Sequence, residues 1–291
     1  VLNIVKPNFI IIGAPKCATS SILKYINQHN NIYVYEEDGI REMHYWNKLY
    51  NEKDITWYES KFKQGYVNGE KTPVYASNCD VPKRISKYYP NIKLIYIIRN
   101  PVDRIYSQYI MSKRIDSDCD NLTNYLNRQI INQSKYYSNL ENYLKYFNKN
   151  QIKIIVFEEF IKNPLRYTND IIKFIGLNPL NDLNDIIYNK GYDIDKQKKN
   201  ELKSIVNRIN TLNITDDWNR LLFSNKLLIA SKNYSNLTNR YTQIMKHHKV
   251  DYKPIDKKLY NKLIKIFYID INKMSEYLDK DLYKVWEKQR M

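Results

Sequence analysis

The sequence predicts an α/β fold with a central parallel sheet flanked by helices, and three observations carry that reading. Apolar runs of strand length recur at Phe9–Ile12, Lys93–Pro101 and Ile152–Phe160. Each is followed by a segment with apolar residues at helical spacing, and such alternation implies βαβ units. No internal repeat and no Gly/Ser- or Pro-rich linker interrupts the 291 residues, so 1–291 reads as one domain with enough chain to bury a large core.

The first element is FIIIGAPKCATSSILKYI, Phe9–Ile26. The strand is closed by Gly13 and Pro15. A helix follows, with Thr19, Ser20 or Ser21 as its N-cap and Ile22, Leu23 and Ile26 on one face. A strand-to-helix junction of this kind aims backbone N–H groups, here from Cys17, Ala18, Thr19, Ser20 and Ser21, and the positive end of a helix dipole at one point. Lys16 adds a cation and the hydroxyls add donors, which suits a phosphate or sulfate. The Walker A pattern fails, because Ala18 and Thr19 stand where its second Gly and its Lys belong.

Beyond this helix, Ile32 and Val34 mark a short extended piece, Glu36–Gly39 a turn, and Arg41–Trp46 the segment REMHYW. Ile55–Phe62 reads as a small helix with Trp57, Tyr58 and Phe62 turned inward. Val67–Tyr75 is strand-like until Pro73, and Val81–Pro90 is a short helix stopped by its proline. Val102–Lys113 forms the helix behind the second strand. A long amphipathic helix, with a break near Gln133, is expected over Leu122–Phe147, a helix over Pro164–Ile175 ended by Gly176, a polar Lys-rich helical stretch over Asp193–Asn213, and a closing helix over Asp256–Trp286.

Composition narrows the partners. An apolar fraction of 43% with four Trp describes a globular chain. The net charge of +16, partly the drift of a Lys-, Asn-, Ile- and Tyr-rich composition, favours an anionic partner such as a charged nucleotide or acidic polysaccharide. Nucleic acid is disfavoured, for no arginine-rich arm or known module is present. Cys17, Cys79 and Cys119 have neither disulfide-framework nor metal-ligand spacing, which favours a reducing compartment and the cytoplasm. No run of about 18 apolar residues exists to span a membrane.

Three further groups carry chemistry. Arg99 stands at the end of the second strand, where ligands gather in open α/β sheets, and Ser107 follows in the second turn of the next helix. A guanidinium with a nearby hydroxyl suits a phosphate monoester, although Arg99 could instead pair with Asp103. Glu42, flanked by Tyr45 and Trp46, has the setting in which a carboxylate pKa rises toward that of a general base. Its bland alternative is a surface carboxylate beside Arg41. His44 reads as an assisting group or a core histidine, and Lys71 as a ligand-facing or a turn lysine.

These segments together resemble the sulfotransferase family. PKCATSSI, Pro15–Ile22, is similar to its 5′-phosphosulfate loop PKxGTTxL, with Ala18 in place of the usual Gly. KLIYIIRNPVDRIYSQY resembles the element that grips the adenosine 3′-phosphate through an Arg and a Ser, here Arg99 and Ser107. REMHYW resembles the KExHFF motif of the glycosaminoglycan branch, and GEKTPVY, Gly69–Tyr75, its GEKTPxY stretch. Tyr136–Leu177 and Phe267–Trp286 extend the likeness in the family's order. The resemblance implies a P-loop-like fold and 3′-phosphoadenosine 5′-phosphosulfate (PAPS) as donor, with adenosine 3′,5′-bisphosphate as product and no metal. It implies sulfuryl transfer to a hydroxyl, less readily an amine, of a saccharide. Glu42 falls on the base, His44 on its companion, Lys16 on the phosphosulfate lysine and Lys71 on the opposite wall. The branch's Lys-Gly-Arg loop is absent from Ser224–Arg240, so protein tyrosine and small hydroxylated metabolites stay open as acceptors. A magnesium-dependent P-loop kinase and a non-catalytic polyanion binder are the rivals of other classes.

Overall fold

A computed structural model describes residues 4–36, 42–115, 122–184 and 255–287. They belong to two compact units, one of Val1–Tyr106, Asn127–Tyr188 and Asp256–Met291, the other of Ser107–Leu126 and Asn189–Ile255.

The first unit is built on five parallel strands: β1 (Phe9–Gly13), β2 (Ile32–Val34), β3 (Val67–Lys71), β4 (Lys93–Ile98) and β5 (Ile152–Val156), in the order β2-β3-β1-β4-β5. Phe9 to Ile12 are fully buried, as is expected of a central strand covered on both faces. Ile10 sits opposite Glu70 of β3 and Leu94 of β4. From β1 the chain crosses by helix α1 (Thr19–Ile26) to the β2 edge, returns through β3, then passes to the far side of β1 to lay down β4 and β5. That reversal makes a topological switch point beside β1, and such sheets bind ligands at the carboxyl ends of the strands there.

The sheet closes tightly enough to demand glycine at one register position. A Cβ on Gly69 would lie 2.3 Å from the Phe9 ring. Gly69→Ala should therefore lower stability by about 1–3 kcal/mol. Equilibrium urea unfolding checks this, and an unchanged midpoint would mean the ring can swing aside.

Several elements differ from the sequence expectation. The cap of α1 is Ala18, in the left-handed conformation, not one of the hydroxyl residues. α2 spans Ile55–Glu59, with Tyr58 and Phe62 buried but Trp57 only half-buried. The short helix α3 runs from Val81 to Tyr88, and α4 over Pro101–Ile115. The helix expected over 122–147 is three, α5 (Leu122–Tyr125), α6 (Arg128–Asn132) and α7 (Tyr136–Leu144): the break at Gln133 falls where expected, and an additional one comes earlier, where the Asn127 side chain accepts the Ile130 N–H and caps α6. β5 ends at Val156, and Phe157–Phe160 coils into one turn, α8, which buries Glu158. α9 (Pro164–Phe174) follows as expected. The closing helix is likewise three, α10 (Lys257–Ile266), α11 (Tyr268–Leu278) and α12 (Leu282–Glu287), with Asp279 in the left-handed conformation ending α11. The stretches 193–213 and 224–240 lie outside the described residues.

In the second unit, the described residues include the last part of α4, from Ser107, and α5. They meet through the Tyr109 and Tyr125 rings, 5.5 Å apart, and a 2.8 Å hydrogen bond between the Ser112 and Tyr125 hydroxyls. No described helix is long and apolar enough to cross a membrane.

Candidate active site

The loop between β1 and α1 carries two residues in left-handed backbone, Lys16 at φ 67° and Ala18 at φ 62°. Glycine takes such angles without the Cβ penalty, which gives a physical reason for the usual Gly at the Ala18 position. The turn folds the loop back under α1. The Cys17 N–H donates to the Ala14 carbonyl at 3.3 Å, and the Ser21 and Ile22 N–H groups both donate to the Ala18 carbonyl at 3.0 Å. Ala18, Thr19 and Ser20 thus hold the amides that no helical carbonyl can reach. Of the five expected anion-binding amides, those of Cys17 and Ser21 are already engaged. The Cys17 side chain points inward, where burial pushes its thiol up to about 12, so it offers no nucleophile. The first turn of α1 holds no acidic residue to oppose an anion.

Arg99 leaves the end of β4 and donates from Nη1 to the Lys16 carbonyl at 3.1 Å, with its guanidinium 4.5 Å from the centre of the Phe157 ring. It turns to this loop and not to Asp103. Its Nε is buried without a partner. A fixed guanidinium with an unused donor, beside a loop of unused amides, fits the two anionic groups of PAPS. Asn100 steadies this corner. Its N–H donates to Glu158 at 2.9 Å, its side-chain amide to the Tyr260 hydroxyl of α10 at 2.9 Å, and its Oδ1 caps α4 by accepting the Val102 N–H. Ser107 lies in the second unit, on α4.

On the opposite wall stand Glu42, His44 and Lys71. Lys71 ends β3 with its side chain buried. Its Nζ is 2.8 Å from Glu42 Oε1 and 3.4 Å from Ser20 Oγ of the loop. His44 Nε2 is 3.4 Å from Glu42 Oε2. The structure reverses the expected shift at Glu42. Burial pushes its pKa up, but the Lys71 ammonium and His44 outweigh it and hold the carboxyl at about 2. Tyr45 and Trp46, expected to make an apolar pocket for it, instead turn into an aromatic cluster with Tyr58, their rings 4.6 and 5.0 Å from that of Tyr58.

Two residues of this wall escaped the sequence reading. Lys48 is half-buried near Glu42; burial pulls its pKa down against the pull of that carboxylate. Glu70 is fully buried, accepting from the Tyr58 hydroxyl and the Thr72 hydroxyl, each at 2.9 Å. Burial pushes its carboxyl up to about 7. The only signal for it was a charge inside a strand next to a glycine that must pack closely. Among the described residues, no three His, Cys, Asp or Glu come together as a metal site would require.

Comparison with known proteins agrees with this arrangement. The sulfotransferase domain family model matches residues 6–220. Human heparan sulfate glucosamine 3-O-sulfotransferase 6 is 32% identical over 106 residues, 35% of this chain and 30% of that protein. The membrane-associated sulfotransferase kil1 of Dictyostelium discoideum is 35% identical over 113 residues, 36% of this chain and 23% of the relative. The match thus spans a third or less of these curated relatives' length. A sulfotransferase from Alicyclobacillus acidocaldarius shares the fold, with a TM-score of 0.60 at 19% identity over 97% of this chain and 99% of that one. With a family match that takes in the β1–α1 loop, Glu42, Lys71 and Arg99, the chain belongs to the sulfotransferase domain family, whose enzymes depend on PAPS.

Proposed function

We propose that the chain, as one domain over residues 1–291, moves a sulfuryl group from PAPS to a saccharide hydroxyl by in-line displacement, with Glu42 as base. The observation that carries this reading is the bridge made by Lys71, bonded to Glu42 on one side and within reach of Ser20 on the other. PAPS supplies the sulfuryl group. Lys16 and the amides of Ala18, Thr19 and Ser20 hold its phosphosulfate, and Arg99 holds its 3′-phosphate, fixing the donor in line. Glu42 accepts the proton of the attacking hydroxyl, and His44 keeps the carboxylate oriented.

A carboxylate held at about 2 is a poor base, and the same bridge answers that difficulty. Negative charge at the loop draws the Lys71 ammonium toward Ser20 and away from Glu42. Burial then acts on Glu42 with less opposition, and its affinity for a proton rises. The base is strengthened when the donor site is filled.

The saccharide acceptor is supported by the heparan sulfate glucosamine 3-O-sulfotransferases among the relatives and by the net charge of +16. The test is calorimetric titration with adenosine 3′,5′-bisphosphate against ATP plus magnesium, followed by sulfate transfer to desulfated heparan fragments. Tight binding of the bisphosphate with transfer to the fragments is expected. Binding of ATP alone would replace the reading by a kinase. Bisphosphate binding with transfer only to tyrosyl peptides or small alcohols would overturn the saccharide.

A further inference from the structure

We infer that Glu70 is the positioning residue of the segment carrying the proposed base, which is tied to this buried carboxylate through the Thr72 hydroxyl and rests on the neighbouring hydroxyl of Tyr75. The inference rests on the reading of Glu42 above. Glu70 and Lys71 are successive residues of β3, so their side chains leave opposite faces. Lys71 goes to Glu42, and Glu70 goes beneath the segment. There the Thr72 hydroxyl donates to its Oε2 and the Tyr58 hydroxyl to its Oε1, while the Tyr75 hydroxyl also faces it.

Two of these hydroxyls carry the segment. The His44 N–H donates to Thr72 Oγ1 at 3.3 Å, and the Trp46 N–H donates to the Tyr75 hydroxyl at 3.2 Å. His44 has φ 53°, a conformation a non-glycine residue keeps only where its surroundings hold it. The directions of the bonds decide the role of the charge. A hydroxyl has one proton to give, and both Thr72 and Tyr58 give theirs to Glu70. Thr72 is then left with lone pairs for the His44 N–H. A carboxylate accepts at both oxygens and brings no proton of its own. A protonated acid or an amide adds a donor among these hydroxyls, which favours turning one around and competes for the lone pairs His44 needs.

Amide hydrogen exchange, read by mass spectrometry, tests this independently of any acceptor. In Glu70→Gln, protection of the His44 and Trp46 amides is expected to fall about tenfold, the scale of one hydrogen bond. Exchange in β1 and α1 should stay unchanged, and affinity for adenosine 3′,5′-bisphosphate should stay within about twofold. Thr72→Val keeps the carboxylate and cuts one strap, so it should release His44 and spare Trp46, whereas Thr72→Ser should restore His44. Unchanged protection in Glu70→Gln, or in Thr72→Val should the first variant not fold, overturns the inference. Failure of the saccharide reading would appear instead as absent transfer by the native chain, with the exchange pattern intact.

Discussion

Glu42→Gln is expected to lower kcat by about 10²–10⁴, the range a positioned general base supplies, while affinity for adenosine 3′,5′-bisphosphate changes little. The amide keeps the shape of the carboxylate but cannot take the acceptor's proton. Its carbonyl can still accept from Lys71, so the wall need not collapse, although a buried ammonium loses its counter-charge. Single-turnover sulfate transfer separates the chemical step from product release. Activity within twofold of the native chain would remove Glu42 from the mechanism.

The pH profile adds a second arm to the same experiment. With a folded pKa of about 2, Glu42 is ionised throughout the neutral range. Its contribution to stability is present above the unfolded value near 4.5 and is lost only as pH falls through about 2. It therefore gives kcat/KM no acid limb near neutrality. Glu70 behaves in the opposite sense. Its carboxyl, pushed to about 7 by burial and by the charge of Glu42 although the hydroxyls of Thr72, Tyr58 and Tyr75 pull it down, holds its proton longer folded than unfolded. Stability drawn from it falls as pH rises from about 4.5 to 7, on the order of 3 kcal/mol in all. Activity should rise over the upper part of that window, as the ionised form takes both hydroxyl protons. Glu70→Gln removes this limb and flattens the stability slope. A limb near pH 7 that survives in Glu70→Gln would belong to another group.

What could be read in the sequence was what is contiguous in it. The β1 strand, its loop and α1 occupy eighteen successive residues, Phe9–Ile26, and so expose their anion-binding geometry directly. Arg99 was legible because it ends an uninterrupted apolar strand. Glu70 was not, because β3 is buried on both faces and shows no alternation to mark an inward carboxylate. Its partners come from Tyr58, twelve residues back, and from a turn beyond the strand. The sign of the Glu42 shift failed for a similar reason. Aromatic neighbours in sequence suggested desolvation, while the deciding cation, Lys71, arrives from 29 residues away. The helix break at Asn127 was hidden because apolar periodicity runs on across a local cap, and the end of β5 at Val156 because the apolar run continues to Phe160.

Arg99→Ala should weaken adenosine 3′,5′-bisphosphate by about ten- to a hundredfold and AMP far less, since a charge-assisted hydrogen bond contributes about 1.5–3 kcal/mol and AMP lacks the 3′-phosphate. The contrast between the ligands matters more than either loss. Arg99 also donates to the Lys16 carbonyl, so its removal loosens the β1–α1 loop, to which the proposed function assigns the 5′-phosphate that both nucleotides carry. A purely structural role would thus weaken both alike, by the cost of one bond to a carbonyl. Arg99→Lys sharpens the distinction. It keeps the charge but loses the flat fork that contacts the loop while stacking on Phe157 and leaves Nε for another acceptor. If the fork is what reads the 3′-phosphate, lysine recovers only part of the affinity, and the recovered part is the more salt-sensitive. Equal losses for the bisphosphate and AMP in Arg99→Ala would reduce Arg99 to a brace for the loop and leave the 3′-phosphate to be found elsewhere.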